Sequence, residues 1–259
     1  MLDYLIVIPA RLKSSRFPGK PLEKINGKEL VLHVLERCNL TFDKKKIVVA
    51  TDSKKIQDFV KKKNFNSIMT SKYCLTGTDR VSEVSKKIKA RMYINVQGDE
   101  PLVNSNDIQK IITEKKKFKD HVICGMTKIS DNENPMSLSI PKVIFDRNLK
   151  MIYMSRSLIP GKKTNEGTKK VPIKVGLDDK KFSYWKQVCI YAFSKQDLKF
   201  YGKKKKKSYL EKIEDIEILR FLDFDKKIKM VKTSKGTVAV DYPKDIKLVE
   251  KLIKKNEKK

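Results

Sequence analysis

Three short segments gather residue types that handle phosphates and metals. The first holds Pro9, Ala10, Arg11, then Ser14, Ser15, Arg16, Pro18, Gly19, Lys20 and Pro21. It follows residues 4–8 (YLIVI), a continuous apolar run of the kind that forms a strand buried on both faces of a parallel sheet. Loops leaving the carboxyl end of a first parallel strand are where α/β proteins place phosphates, on backbone N–H groups that small residues leave accessible. Arg11, Arg16 and Lys20 add fixed positive charge. The segment is neither a P-loop nor a GxGxxG fingerprint, so by its own chemistry it reads equally as a phosphate site or a basic surface turn.

The second segment is 95–101 (NVQGDEP), directly after the buried run 93–96. There Asp99 would overhang the same crevice, placed for Mg²⁺ that bridges phosphate oxygens. The third is 240–243 (VDYP), where Asp241 again sits at an expected strand end. Two such carboxylates can clamp a metal, although an Asp ahead of a Pro-started helix is also an ordinary N-cap. Smaller candidates are 76–80 (TGTDR), Ser155-Arg156, and Glu211, Glu214 and Ile218, spaced to share one helical face that would otherwise be a solvated one.

These segments need a scaffold, and the pattern around them supplies one. Residues 29–38 and 53–63 read as helices, 46–51 as a strand, and about 79–88 as a helix before the strand at 93–96, which together begin a doubly wound α/β fold. Strands are predicted at 122–129, 142–146, 151–154 and 187–193, with a Gly/Lys/Pro-rich stretch at 161–172 suited to a lid or dimer arm. Ser208-x-x-Glu211 is a capping box ahead of an amphipathic helix with Leu210, Ile213, Ile216, Leu219 and Leu222. A strand at 238–240 and a helix from Pro243 complete the chain. The expected organisation is a single domain over 1–259, with an inserted, hairpin-rich part at about 122–200.

The 259 residues carry 60 Lys and Arg against 31 Asp and Glu, a formal charge of +29. Only eight of the basic residues are arginine, and the lysines are dispersed over the faces expected to be exposed. That pattern argues against specific nucleic-acid binding, which leans on arginine forks and aromatic platforms. It also singles out the arginines as positions needing a planar fork, among them Arg11, Arg16, Arg80, Arg156 and Arg220. The four cysteines form no CxxC pair, and no apolar stretch has membrane-spanning length, so a soluble, cytoplasmic chain is expected, with no membrane insertion.

In order along the chain, IPAR-x-x-S-x-R-x-PGKPL at 8–22, GTDR at 77–80, NVQGDEP at 95–101, PKV at 141–143, SR at 155–156, IY at 190–191 and VDYP at 240–243 resemble the CMP-Kdo synthetases, the 3-deoxy-manno-octulosonate cytidylyltransferases. The resemblance implies a Rossmann-like nucleotidyltransferase fold, its mostly parallel sheet flanked by helices, with a hairpin-rich substrate and dimerisation part. It implies attack of the anomeric hydroxyl of an acidic sugar, Kdo, on the α-phosphorus of CTP, giving CMP-Kdo and pyrophosphate for lipopolysaccharide synthesis, with Mg²⁺ and a homodimer. Mapped onto matching positions, Pro9, Ala10, Arg11, Arg16 and Lys20 would hold the nucleotide and Asp99 and Asp241 the metal, with Lys20, Asp99 and Asp241 catalytic. Arg80, Gln97, Arg156, Tyr191, Glu211 and Glu214 would face the sugar. The chain departs from the family pattern at Cys74, Gln187, Cys189 and Ile218. These departures admit another acceptor, amino-Kdo or a nonulosonic acid, and the charge admits a non-catalytic basic protein.

Overall fold

The computed structural model describes residues 1–13, 16–131, 133–161, 183–203, 206–234 and 238–257. Strand β1 (Leu2–Ala10) is buried from Leu5 onward, as its unbroken apolar run requires. After its loop come a small hairpin of β2 (Lys24–Ile25) and β3 (Lys28–Glu29), then α1 (Leu30–Asn39), β4 (Ile47–Thr51), α2 (Lys54–Lys62), β5 (Asn66–Met69), α3 (Gly77–Lys87), β6 (Ala90–Val96) and α4 (Ser105–Lys117). The chain continues through β7 (Val122–Lys128), β8 (Lys142–Phe145), β9 (Met151–Ser155), β10 (Trp185–Ser194), α5 (Lys195–Lys203), α6 (Tyr209–Glu214), α7 (Leu219–Leu222), β11 (Ile228–Lys232) and α8 (Asp245–Glu257).

The main sheet runs β11-β7-β10-β6-β1-β4-β5, with β8 and β9 extending from β10. β6, β1, β4 and β5 are mutually parallel, whereas β10 lies antiparallel between β6 and β7. Alternate residues of β1 face opposite layers. Ile6 and Ile8 pack with Val34, Ile56 and Ile111 of α1, α2 and α4, while Leu5 and Val7 pack with Val81 and Leu198 of α3 and α5. Strand order reverses at β1, so the loops after β1 and β6 diverge and leave a crevice beyond their carboxyl ends. Gly98 closes the base of that crevice. A Cβ there would stand 2.6 Å from the Pro9 carbonyl oxygen, so glycine is what lets the two loops approach.

Several elements escaped the sequence pattern. β5 and β11 are short and carry polar or lysine residues, so neither makes an apolar run. In α4 the apolar spacing of Ile108, Ile111 and Ile112 is diluted by lysines. α5 carries Gly202 in its last turn, where a Cβ would come 2.1 Å from Ser82 Oγ of α3.

Two expectations are corrected. Residues 238–240 form no strand, although the Val240 N–H donates to the Asp99 carbonyl at 2.9 Å. The helix after Ser208 is two helices, because Asp215 adopts φ 50° and ends α6. Ile218 therefore does not share a helical face with Glu211 and Glu214. Of the predicted 161–172 stretch, 162–172 lies outside the described residues. Among those described, no helix is long and apolar enough to cross a membrane.

Candidate active site

The loop after β1 is closed by the Gly19 N–H donating to the Leu12 carbonyl at 2.9 Å, with Gly19 at φ 76°. This turn aims Lys20 inward. Its Nζ donates to Asp99 Oδ2 at 2.8 Å and to the Val240 carbonyl at 2.7 Å, so one ammonium joins the three segments that the sequence set far apart. Arg16 Nη2 stands 3.2 Å from Asp241 Oδ1, and its guanidinium lies 5.7 Å from the Tyr242 ring centroid. Asp241 is not the helix cap: Asp245 Oδ2 accepts the Asp241 and Tyr242 N–H groups at 2.9 and 2.8 Å, which leaves Asp241 turned to Arg16.

Pro9, Ala10, Arg11, Arg16 and Lys20 line one small cleft, together with Cys74, Arg80, Gln97 and Asp99. Arg80 belongs to this cleft rather than to the larger cavity beside it. Its guanidinium is engaged by Asp52 Oδ2 at 2.7 Å, Thr70 Oγ1 at 2.8 Å and the Ser71 carbonyl at 3.2 Å. The resemblance put Arg80 on the sugar; here it lies outside the lining of the larger cavity.

The larger cavity, of about 670 Å³, shares Arg16, Gln97 and Asp99 with the cleft and is walled by β10, by residues 139–141 and by the corner at 215–217. β10 presents Gln187, Cys189 and Tyr191, and Gln187 Nε2 donates to the Tyr191 hydroxyl at 2.9 Å. Burial, then the neighbouring Cys189, holds the Tyr191 phenol well above its ordinary pKa. Arg156 also lines this cavity, but its fork is already occupied: Nε donates to the Glu214 carbonyl at 2.6 Å, Nη1 to Leu138 and Nη2 to Asp215, both at 2.9 Å.

Two acidic residues expected on the sugar, Glu214 and Glu211, are engaged by framework groups. Glu214 accepts from Ser155 Oγ at 2.6 Å and the Arg156 N–H at 2.8 Å, bracing β9 against α6. Glu211 is fully buried and takes two bonds from Arg220, at 2.6 and 2.7 Å. Arg220 in turn donates to Asp79 at 2.9 Å and lies 3.7 Å over the Tyr201 ring, so this network anchors the start of α3. A buried charge pair must stay complete, because either partner alone would be stranded.

Glu217, which the helical-face grouping passed over, faces the cavity from this corner beside Asp215 and Ile216. It accepts Gln97 Nε2 at 2.6 Å and the Thr78 N–H at 2.9 Å. Ile218, a departure from the family pattern, is instead fully buried in the core, so it leaves no sugar-facing group unpaired. Glu100, 5% exposed, also went unremarked. It accepts the Cys189 N–H on Oε1, while Oε2 has no hydrogen-bond partner among the described residues. Burial, reinforced by Asp99, pushes Glu100 up to about 7. Glu217 is likewise pushed up to about 7, chiefly by burial and against the Thr78 N–H. The cavity thus holds two carboxyls that titrate near neutrality.

Among the described residues no group of three or more His, Cys, Asp or Glu side chains is arranged to hold a metal. Asp99 and Asp241 are hard oxygen donors, each now neutralised by a basic side chain. Such a pair suits a cation that takes its remaining ligands from water and phosphate oxygens, as Mg²⁺ does, and does not suit one that needs a full protein cage.

A Rossmann-like sheet with cations and paired carboxylates at its switch point defines the class: an α/β enzyme of the nucleotidyltransferase type. The cytidylyltransferase family model matches residues 5–228. A 3-deoxy-manno-octulosonate cytidylyltransferase from Chlamydia pneumoniae is 34% identical over 250 residues, covering 95% of this chain and 92% of that one. An 8-amino-3,8-dideoxy-manno-octulosonate cytidylyltransferase from Shewanella sp. W3-18-1 is 33% identical, covering 95% of this chain and 96% of that one. The solved structure of a CMP:2-keto-3-deoxy-manno-octonic acid synthetase complexed with CTP superposes with a TM-score of 0.83 at 31% identity, over 98% of this chain and 99% of that one. The chain belongs to the cytidylyltransferase family, in the branch that contains the 3-deoxy-manno-octulosonate enzymes.

Proposed function

We propose that this enzyme transfers the cytidylyl group of CTP to the anomeric hydroxyl of a 3-deoxy-ulosonic acid, Kdo or its 8-amino relative, and releases pyrophosphate. The hydroxyl oxygen bonds to the α-phosphorus, the bond from that phosphorus to the bridging oxygen breaks, and the hydroxyl proton is lost. One observation carries this reading: the small cleft and the large cavity meet along Arg16, Gln97 and Asp99, the edge at which a triphosphate in one would meet a hydroxyl in the other.

Arg11, Arg16 and Lys20 would neutralise the triphosphate, with the β1 loop backbone around Pro9 and Ala10 beside it. Asp99 and Asp241 would hold Mg²⁺, which when bound neutralises phosphate charge. For that, Lys20 and Arg16 must turn from the carboxylates to the phosphates. Gln97, Glu217, Gln187 and Tyr191 would meet the acceptor's hydroxyls. The 8-amino acceptor is favoured by carboxyls on the same cavity, Glu100 and Glu217, that could pair with an ammonium. The reading also includes a cytoplasmic single domain over 1–259 and a homodimer formed through the 122–200 part, where Leu138 and Ile152 are exposed.

Pyrophosphate release, measured with each nucleoside triphosphate against Kdo, 8-amino-Kdo and a nonulosonic acid, tests the proposal. Release with CTP and either manno-octulosonate is expected. Release only with the nonulosonic acid, or with none, would sink it.

A further inference from the structure

The walls of the larger cavity at 139–141 and 215–217 belong to separate parts of the chain, and the contacts that tie them run through Arg156. Behind Arg156 lies Lys142, at the start of β8 and fully buried. Its Nζ donates to the Arg156 carbonyl and, at 2.9 Å, to the Ser137 carbonyl. Both acceptors are neutral carbonyls. Placing a full charge in such a site is costly, and a merely space-filling role would be met more cheaply by an apolar side chain of similar length.

We propose that Lys142 is a positioning residue for the acceptor: by holding the Ser137 and Arg156 carbonyls together it keeps the two cavity walls at the spacing that admits the sugar acid. The inference rests on the sugar-activating reading of the cavity. It also separates the two ends of the site, since none of these contacts reaches Lys20 or Asp99.

Burial, with Arg156 adding repulsion and Glu214 opposing it, brings the Lys142 ammonium down to about 8. The charged groups around it are Arg156 at the end of β9, Glu214 on α6 and, across β10, Lys186 paired with Glu133. Glu100 and Glu217 of the same cavity, raised to about 7, finish titrating at the lower end of the window from pH 7.5 to 9.5, so the part due to Lys142 is the pH dependence that a Lys142 variant loses. Loss of the Lys142 proton over that window weakens the clasp, so acceptor KM rises with pH while KM for CTP stays level.

The test is steady-state kinetics of the wild type and Lys142→Met from pH 7.5 to 9.5, with hydrogen exchange of both proteins without substrates. At pH 7.5 the variant should show acceptor KM raised about tenfold, with kcat and KM for CTP within about twofold. Its acceptor KM should rise less with pH than that of the wild type, the remainder coming from Glu100 and Glu217. Exchange should quicken at 137–141 and 156–157 and stay unchanged at 95–101. Equal acceptor KM in the two proteins, or a matching rise in KM for CTP, would overturn the role of Lys142 while leaving the reaction standing. No turnover with any acid would overturn both. Should the variant fail to fold, the wild-type profile alone decides: acceptor KM level from pH 7.5 to 9.5 rejects the proposal.

Discussion

The small cleft beside β1 and the larger cavity under β10 differ in how they are assembled. The cleft is made by loops leaving the adjacent parallel strands β1 and β6, held close by Gly98 and closed by Lys20 on Asp99. The cavity is made by side chains from β10, by a segment before β8 and by a broken helix, joined through Arg156 and Lys142. In the first, position follows from strand topology. In the second, position depends on long side chains whose own partners must be satisfied, which makes it the easier part to retune.

The largest expected effect is at the shared edge. Asp99→Asn should cut pyrophosphate release by about 10³-fold with circular dichroism and thermal midpoint near wild type; an unchanged rate would remove Asp99 from the metal site. Lys20→Met should lower kcat by about 10²-fold and leave acceptor KM alone. If acceptor KM moved as much as kcat, the two regions would not be separable as described.

Glu211→Gln breaks the comparison in the other direction, since this residue belongs to the framework. Stability should fall by about 3 kcal/mol in chemical denaturation, because Arg220 loses its buried counter-charge. The remaining folded enzyme should keep wild-type acceptor KM, and a selective rise would restore the sugar role implied by resemblance.

Glu217→Gln should raise acceptor KM about tenfold without changing KM for CTP. It should also raise the thermal midpoint at pH 8. The Glu217 carboxyl is raised from 4.5 to about 7, so its contribution to stability is full below 4.5 and lost as pH rises through 7. The native charged carboxylate then costs at most about 3 kcal/mol at pH 8. The variant's advantage should vanish towards pH 4.5, and an advantage independent of pH would contradict this origin.

The smallest effect is expected at Cys74. Burial, aided by Glu83, pushes its thiol up to about 12. Iodoacetamide at pH 8 should therefore leave activity almost unchanged, and rapid inactivation would show a more accessible thiolate than this cleft provides.

The doubly wound half was legible because its strands are buried on both faces and its helices have one apolar side, patterns that depend on nearest neighbours in sequence. β1, α1, β4, α2 and β6 followed from that. β5 and β11 did not, since edge strands need only a few apolar residues and take their stability from the ladder beside them. The site divided in the same way. Arg11, Arg16, Lys20 and Asp99 could be singled out because each lies in a loop that leaves a buried strand, whereas Asp241 was singled out by a strand that the fold does not form.

Glu217 and Glu100 were missed because their importance lies in burial and partners, and Glu211, Glu214, Arg80 and Arg156 were given free functional groups that folding had already engaged. By itself the sequence determined the loops after β1 and β6, with their cations and Asp99, because the strand runs and the glycines around them leave little freedom. Only the tertiary structure decided which acids face the cavity. Asp215 at φ 50° turns the chain so that Glu211 goes to Arg220, Ile218 to the core and Glu217 to Gln97, and no local periodicity carries that break.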